Sequence, residues 1–251
     1  EASDLDRLWV RGGFPRAYLA RSQVEASSWL DAYVTTFLER DVPSFGLRVA
    51  PPALRRFWMM LAQVHGQTVN QSELGRAMGV SQKTILNYID ILQSTFMIRV
   101  LQPWFENIEK RQVKSPKLYF RDSGLFHALL GVRSKEEIVR HPKLGASWEG
   151  FALECVLREL RVDAASAFFW ASHSHAEIDL MIVRGGRRFG FEFKWSDAPR
   201  VTQSMRIARD DLTLEHLYVV FPGEGEFPLD DRISGLGLAT VTSPHWARRF
   251  G

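Results

Sequence analysis

Arg184-Gly185-Gly186-Arg187 is a two-glycine turn between two runs of strand character, Ala176–Val183 and Arg187–Trp195. Glycine tolerates positive φ at both central positions of a tight hairpin, so this sequence predicts two antiparallel strands in a fixed register. Arg184 then faces Arg187. Counting outward along both strands brings Asp179 opposite Glu192. Side chains alternate along a strand, which puts Phe189, Phe191, Phe193 and Trp195 on one face and Glu192 and Lys194 on the other. Two like charges directly opposite destabilise a sheet. A divalent cation reverses that repulsion.

Asp179 and Glu192 are therefore the expected metal-ligating pair. Carboxylate oxygens with waters completing the shell suit Mg²⁺ or Mn²⁺. Lys194 is placed to position or deprotonate an attacking water, or to stabilise charge on a phosphate. Glu149 lies near the start of an expected helix over 147–161, with Leu153, Val156 and Leu160 on the same face. It is either a further ligand or an acid that the helix dipole favours in the first turn. His173 and His175 read as a polar turn near this face, and Cys155 as a packing residue.

The whole chain reads as α+β in three parts. Residues 1–66 form a helical segment. Ser22 and Glu25 cap a helix over 24–41, and Pro51-Pro52 open another that Gly66 closes. Residues 67–135 read as a winged helix-turn-helix. Asn70 with Glu73 and then Ser81 cap two short helices about Gly79, followed by strands at 97–101 and 117–120. Residues 140–251 form an α/β restriction-endonuclease-like domain with a mixed sheet. Its expected order is α-β-β-β-α-β-β, with the last strands at 217–221 and 238–241 and parallel pairing across the 195–217 crossover. The hinge is expected around 131–142.

Charge is mildly basic, +3 with a pI near 9.1, so its distribution must argue for any nucleic-acid partner. The segment from Lys110 to Arg121 carries Lys110, Arg111, Lys114, Lys117 and Arg121 with no acid between them, as phosphate contact requires. Lys83 and Asn87 lie on the outward face of the second helix of the helix-turn-helix. These six residues — Lys83, Asn87, Lys110, Arg111, Lys114 and Lys117 — are the expected DNA contacts. A single cysteine, no apolar run of membrane-spanning length and no leader pattern lead us to expect a cytoplasmic protein with no membrane partner.

A helix glutamate, a strand aspartate and Glu192-Phe193-Lys194 on the next strand resemble the PD-(D/E)XK nuclease superfamily. That resemblance implies an active site of Glu149, Asp179, Glu192 and Lys194, with Ile178 standing where the family has proline. A longer series runs in order: Gly12-Gly13-Phe14-Pro15, Glu39-Arg40-Asp41, residues 116–125 (PKLYFRDSGL), Glu177-Ile178-Asp179 and Glu192-Phe193-Lys194. It is similar to the uncharacterised C-terminal region of a bacterial and archaeal AAA-type ATPase family, which implies an ATPase module as partner. No Gly-x-x-x-x-Gly-Lys-Ser/Thr occurs in the sequence, so no ATP site is expected in this chain. The function expected is a DNA-binding effector with a Mg²⁺- or Mn²⁺-dependent phosphodiesterase (nuclease) site. The alternative is a DNA- or protein-binding module on an inactive nuclease fold.

Overall fold

The structure is a computed structural model that describes residues 4–45, 49–105, 113–172, 176–243 and 246–250. It is mixed α+β and divides into two units, Glu1–Val100 with Leu118–Ser147, and Leu101–Lys117 with Trp148–Gly251.

The first unit is mainly helical. It contains α1 (Asp4–Arg11), α2 (Pro15–Tyr18), α3 (Gln23–Thr36), a π turn (Phe37–Asp41), α4 (Val42–Ser44) and α5 (Pro51–Gln63). Strand β1 (Gln67–Thr68), α6 (Gln71–Met78), α7 (Gln82–Ser94), β2 (Ile98–Pro103) and β3 (Lys117–Phe120) follow, then α8 (Ser123–Leu130) and α9 (Lys135–Arg140). The caps fall where the sequence places them. Ser22 accepts from the Glu25 N–H, Asn70 from Glu73 and Ser81 from Thr84, each at 3.1 Å. Gly79 ends α6 in the left-handed region at φ +68°, open to glycine without strain.

The division expected between residues 1–66 and 67–135 is not found. Val34, Phe57 and Trp58 share one core with Leu74, Ile85, Leu92, Ile98 and Leu118. The short helices around Gly79 cannot bury their own apolar faces, and α3 and α5 supply the missing surface. The segment 101–117 belongs with the C-terminal unit instead.

Helix α10 (Leu144–Glu159) leads into the second unit. It is followed by β4 (Ala167–Ala171), β5 (Glu177–Arg184), β6 (Arg187–Phe193), α11 (Gln203–Asp211), β7 (His216–Phe221), β8 (Glu226–Asp230), β9 (Ile233–Gly237) and α12 (Leu238–Val241). The sheet order is β4-β5-β6-β7-β9-β8, with Gln102 and Pro103 of β2 parallel to β4. Pairs β6/β7 and β7/β9 are parallel, and β4/β5, β5/β6 and β8/β9 antiparallel. On α11, Met205 and Ala208 pack with Ile178, Met181, Leu217 and Val219 of the sheet.

Two strand assignments change. Residues 238–241, expected as a strand, form α12. The strands here are β8, unforeseen, and β9, five residues earlier. Gly235 and Gly237 disguise β9. A Cβ on Gly235 would sit 2.6 Å from the movable Phe227 ring, and one on Gly237 2.4 Å from the Gly223 carbonyl oxygen, so close backbone approach demands glycine at 237.

Candidate active site

The hairpin sets the register. Gly185 and Gly186 adopt φ +56° and +74°, Arg184 pairs with Arg187, and the ladder runs through Met181–Gly190 to Leu180–Phe191. On the other side of β5, Phe168 faces Met181 but Trp170 faces Ile178. One extra residue of β5 is therefore fitted in at Asp179–Leu180, a bulge that turns Asp179 out of simple alternation. The Phe193 N–H donates to Asp179 Oδ2 at 3.0 Å. The Glu192 carboxyl, 4% exposed, hydrogen-bonds Asp179, itself 6% exposed.

Burial, and then the Asp179 charge, hold Glu192 well above the usual carboxylate range. Lys194 Nζ lies 2.8 Å from Glu192 Oε2, with its side chain 45% exposed. Burial pulls this ammonium down, but the Glu192 and Asp179 charges outweigh that and leave it above its ordinary value.

Glu149, on α10, approaches the pair from the helix side. Between it and the strand sits Lys117, whose Nζ is 3.6 Å from Glu149 Oε1, 3.7 Å from Asp179 Oδ1 and ion-paired to Glu177. Lys117 is 6% exposed. Its ammonium also lies 5.4 Å from the centroid of the Phe169 ring. Its expected place on an exposed basic ribbon is thus corrected: it is buried among carboxylates.

The site therefore gathers Glu149, Asp179, Glu192 and Lys194, all four expected, with Lys117 and Glu177, which were not assigned to it. Glu177 carried a signal in the sequence, since it stands two residues before Asp179. Lys117 carried none that pointed here.

Lys83, Asn87 and Lys114 are exposed. Lys110, Arg111, His173 and His175 lie outside the described residues. Cys155 is buried, and burial pushes its thiol up to about 11, which fits packing rather than reactivity.

The donor chemistry fits a hard divalent cation: two buried, abutting carboxyls offer oxygens that an ion can take. Among the described residues no group of three His, Cys, Asp or Glu side chains is arranged to hold an ion. Waters and substrate oxygens are needed to complete a shell.

Residues 2–136, more than half of the chain, match the family described as a domain of unknown function, DUF8612. The chain belongs to the DUF8612 family. Residues 144–241 of this DUF8612 chain match a second family described as a domain of unknown function, DUF4143. The uncharacterized proteins Rv2008c of Mycobacterium tuberculosis and Mb2031c of Mycobacterium bovis are each 46% identical to it over 232 residues, 92% of this chain and 52% of theirs. The chain thus spans about half the length of the curated relatives it matches. A crystal structure of protein VC1899 from Vibrio cholerae aligns with 100% of this chain and 57% of its own at 12% identity and a TM-score of 0.29. Among the described residues no helix is long and apolar enough to cross a membrane.

Proposed function

We propose that this chain is the DNA-binding effector part of a larger protein, and that its C-terminal unit hydrolyses phosphodiesters with Mg²⁺ or Mn²⁺. The observation that carries this reading is the buried, abutting Asp179–Glu192 pair beside a half-exposed Lys194. A site built only for stability gains nothing from two abutting carboxyls. A bound Mg²⁺ or Mn²⁺ would supply an activated water and a hold on the scissile phosphate. Asp179 and Glu192 would bind it. The Phe193 N–H fixes the rotamer of Asp179. Glu149 adds negative charge from α10. Lys194 reaches solvent and meets the water or phosphate there.

The restriction-endonuclease-like reading is supported by the order α10-β4-β5-β6-α11-β7 and by the positions of Glu149, Asp179, Glu192 and Lys194 along it. The winged-helix reading of the first unit is supported by the order α5-β1-α6-α7-β2-β3, with Lys83 and Asn87 exposed on α7. DNA is the partner that this order and the basic segment favour. An AAA-type ATPase module of the same full-length protein is proposed as a second partner, on the motif series from Gly12 to Lys194. Cytoplasmic placement remains part of this proposal.

The test incubates the chain with single- and double-stranded DNA, linear and plasmid, in Mg²⁺ or Mn²⁺, beside Glu192→Ala and Lys194→Ala. Cleavage by the wild type, lost in Glu192→Ala together with ion binding, is expected. Lys194→Ala should retain ion affinity and cleave slowly. Absence of both cleavage and ion binding at millimolar Mn²⁺ by calorimetry would favour a DNA- or protein-binding arm on an inactive nuclease fold.

A further inference from the structure

Asp179 has two carboxylate oxygens, and their uses differ. Oδ2 accepts the Phe193 N–H. Oδ1 faces the Lys117 ammonium at 3.7 Å. Oδ1 is the oxygen of Asp179 that does not already accept this backbone N–H, and so the one more open to an ion. Mg²⁺ binds oxygen at roughly 2.0–2.1 Å, too close for an ammonium to keep its place at the same atom without strong like-charge repulsion. Glu149 poses the same conflict, since Lys117 lies 3.6 Å from its Oε1. Lys117 has one anchor outside this conflict: Glu177, whose side chain is 43% exposed against 7% for the lysine.

The surroundings of Lys117 agree with this. Glu149, Glu177 and Asp179 all face its ammonium. Without Lys117, the partly solvated Lys194 and the Phe193 N–H would be left to offset the charge of buried Asp179.

We propose, resting on the divalent-ion reading above, that Lys117 is a tethered counter-cation. It holds the ion's place at Asp179 in the metal-free protein and is displaced toward Glu177 when Mg²⁺ or Mn²⁺ binds. It is a positioning residue. It stabilises the site between catalytic cycles and weakens ion affinity by competing for Asp179.

Mn²⁺ is the probe, with the full chain as wild type, Lys117→Gln and Lys117→Arg. Lys117→Gln is expected to bind Mn²⁺ about tenfold tighter or more by calorimetry. Its thermal midpoint should fall below wild type in EDTA and recover with Mn²⁺. Lys117→Arg keeps the charge and should stay near wild type in both readouts. Amine-reactive labelling of wild type, read by peptide mass spectrometry, decides the matter even where Lys117→Gln does not fold. Lys117 should be protected in EDTA and labelled in saturating Mn²⁺, while exposed Lys83 and Lys114 label equally in both. Equal Mn²⁺ affinity in wild type and Lys117→Gln, or continued protection of Lys117 with Mn²⁺ bound, overturns this inference and leaves the ion site standing. Absence of Mn²⁺ binding in every protein overturns the site reading, and this inference with it.

Discussion

The Glu192 carboxyl abuts Asp179 across the β5–β6 hairpin, and both groups are buried. A carboxyl buried beside another carboxyl makes stability depend on pH. Burial and Asp179 raise the Glu192 pKa above its unfolded value, so the folded chain holds a proton that the unfolded chain releases. The contribution is fully present below the unfolded pKa and is lost as pH rises through the folded one. Glutamine at 192 keeps an N–H to donate and an oxygen to accept. Glu192→Gln should match wild type near pH 4 in EDTA and gain on it as pH rises from the unfolded pKa toward the folded one, by at most about 1.4 kcal/mol per pH unit, with no further gain beyond. Urea unfolding across pH checks this. A variant that weakens relative to wild type as pH rises would mean that Glu192 is ionised in the folded chain.

A second titration works in the opposite direction. His65 accepts the Phe120 N–H on Nδ1 at 2.9 Å, so Nε2 carries the proton toward the Ala146 carbonyl at 3.1 Å. Burial lowers its pKa to about 3, and the Ala146 hydrogen bond offsets only part of that. The unfolded chain takes a proton near the ordinary histidine value of 6.5, and the folded chain does not. Stability from this group is present above 6.5 and lost as pH falls toward 3, by up to about 1.4 kcal/mol per unit. His65→Gln removes that slope. Its deficit against wild type should be largest at pH 7 and narrow steadily toward pH 4. A constant deficit would rule out His65 as the source.

How far the site was legible follows from where its information lies along the chain. The Asp179–Glu192 pairing is local: two glycines that require positive φ fix the register of the strands on either side. Glu149 is nearly as local, since the apolar spacing of α10 places it. Lys117 is different. It stands among basic residues at 110–121, and only the tertiary fold shows that its neighbours are Glu149, Glu177 and Asp179. The bulge at Asp179 was equally hidden, because it depends on pairing with β4. Strand β8 contains Pro228, which demotes a strand in any sequence reading and is tolerated because β8 is an edge. The run Leu238-Ala239-Thr240-Val241 is apolar and β-branched, yet four residues are too few for periodicity to separate helix from strand.

The motif joining Gly12-Gly13 to Asp122-Ser123-Gly124 has a structural explanation. Asp122 Oδ1 accepts the Leu125 N–H at 2.7 Å and so caps α8, while Oδ2 accepts the Gly13 N–H at 2.7 Å. A Cβ on Gly12 would lie 2.1 Å from Asp122 Oδ1, and one on Gly124 2.1 Å from the Arg11 carbonyl oxygen. Gly12 also sits at φ +76°. Asp122→Ala should cost roughly 2–4 kcal/mol, the combined loss of a helix cap and a charge-assisted hydrogen bond. Gly124→Ala should cost at least as much through backbone overlap. Urea denaturation measures both. A loss below about 0.5 kcal/mol for Asp122→Ala, typical of surface substitutions, would show the clamp to be dispensable.

DNA affinity should separate the exposed cations from the buried one. Lys83 and Lys114 are exposed, and Lys110 and Arg111 share the basic segment with Lys114. Each phosphate that such a residue neutralises releases counterions, which makes affinity fall with salt. Replacing these four with alanine should weaken binding to any duplex sequence and reduce the log–log salt slope by up to about 0.9 for each lost contact. Asn87→Ala removes a neutral side chain and should leave the slope unchanged, whatever it does to affinity. Lys117→Gln should also leave it unchanged, because a lysine paired with three carboxylates condenses no phosphate. Fluorescence anisotropy from about 50 to 200 mM salt covers the range where such contacts are resolved. A quadruple variant with the wild-type slope would remove the basic segment from the DNA interface, and a flatter slope in Lys117→Gln would mean that its ammonium leaves the carboxylates to meet DNA.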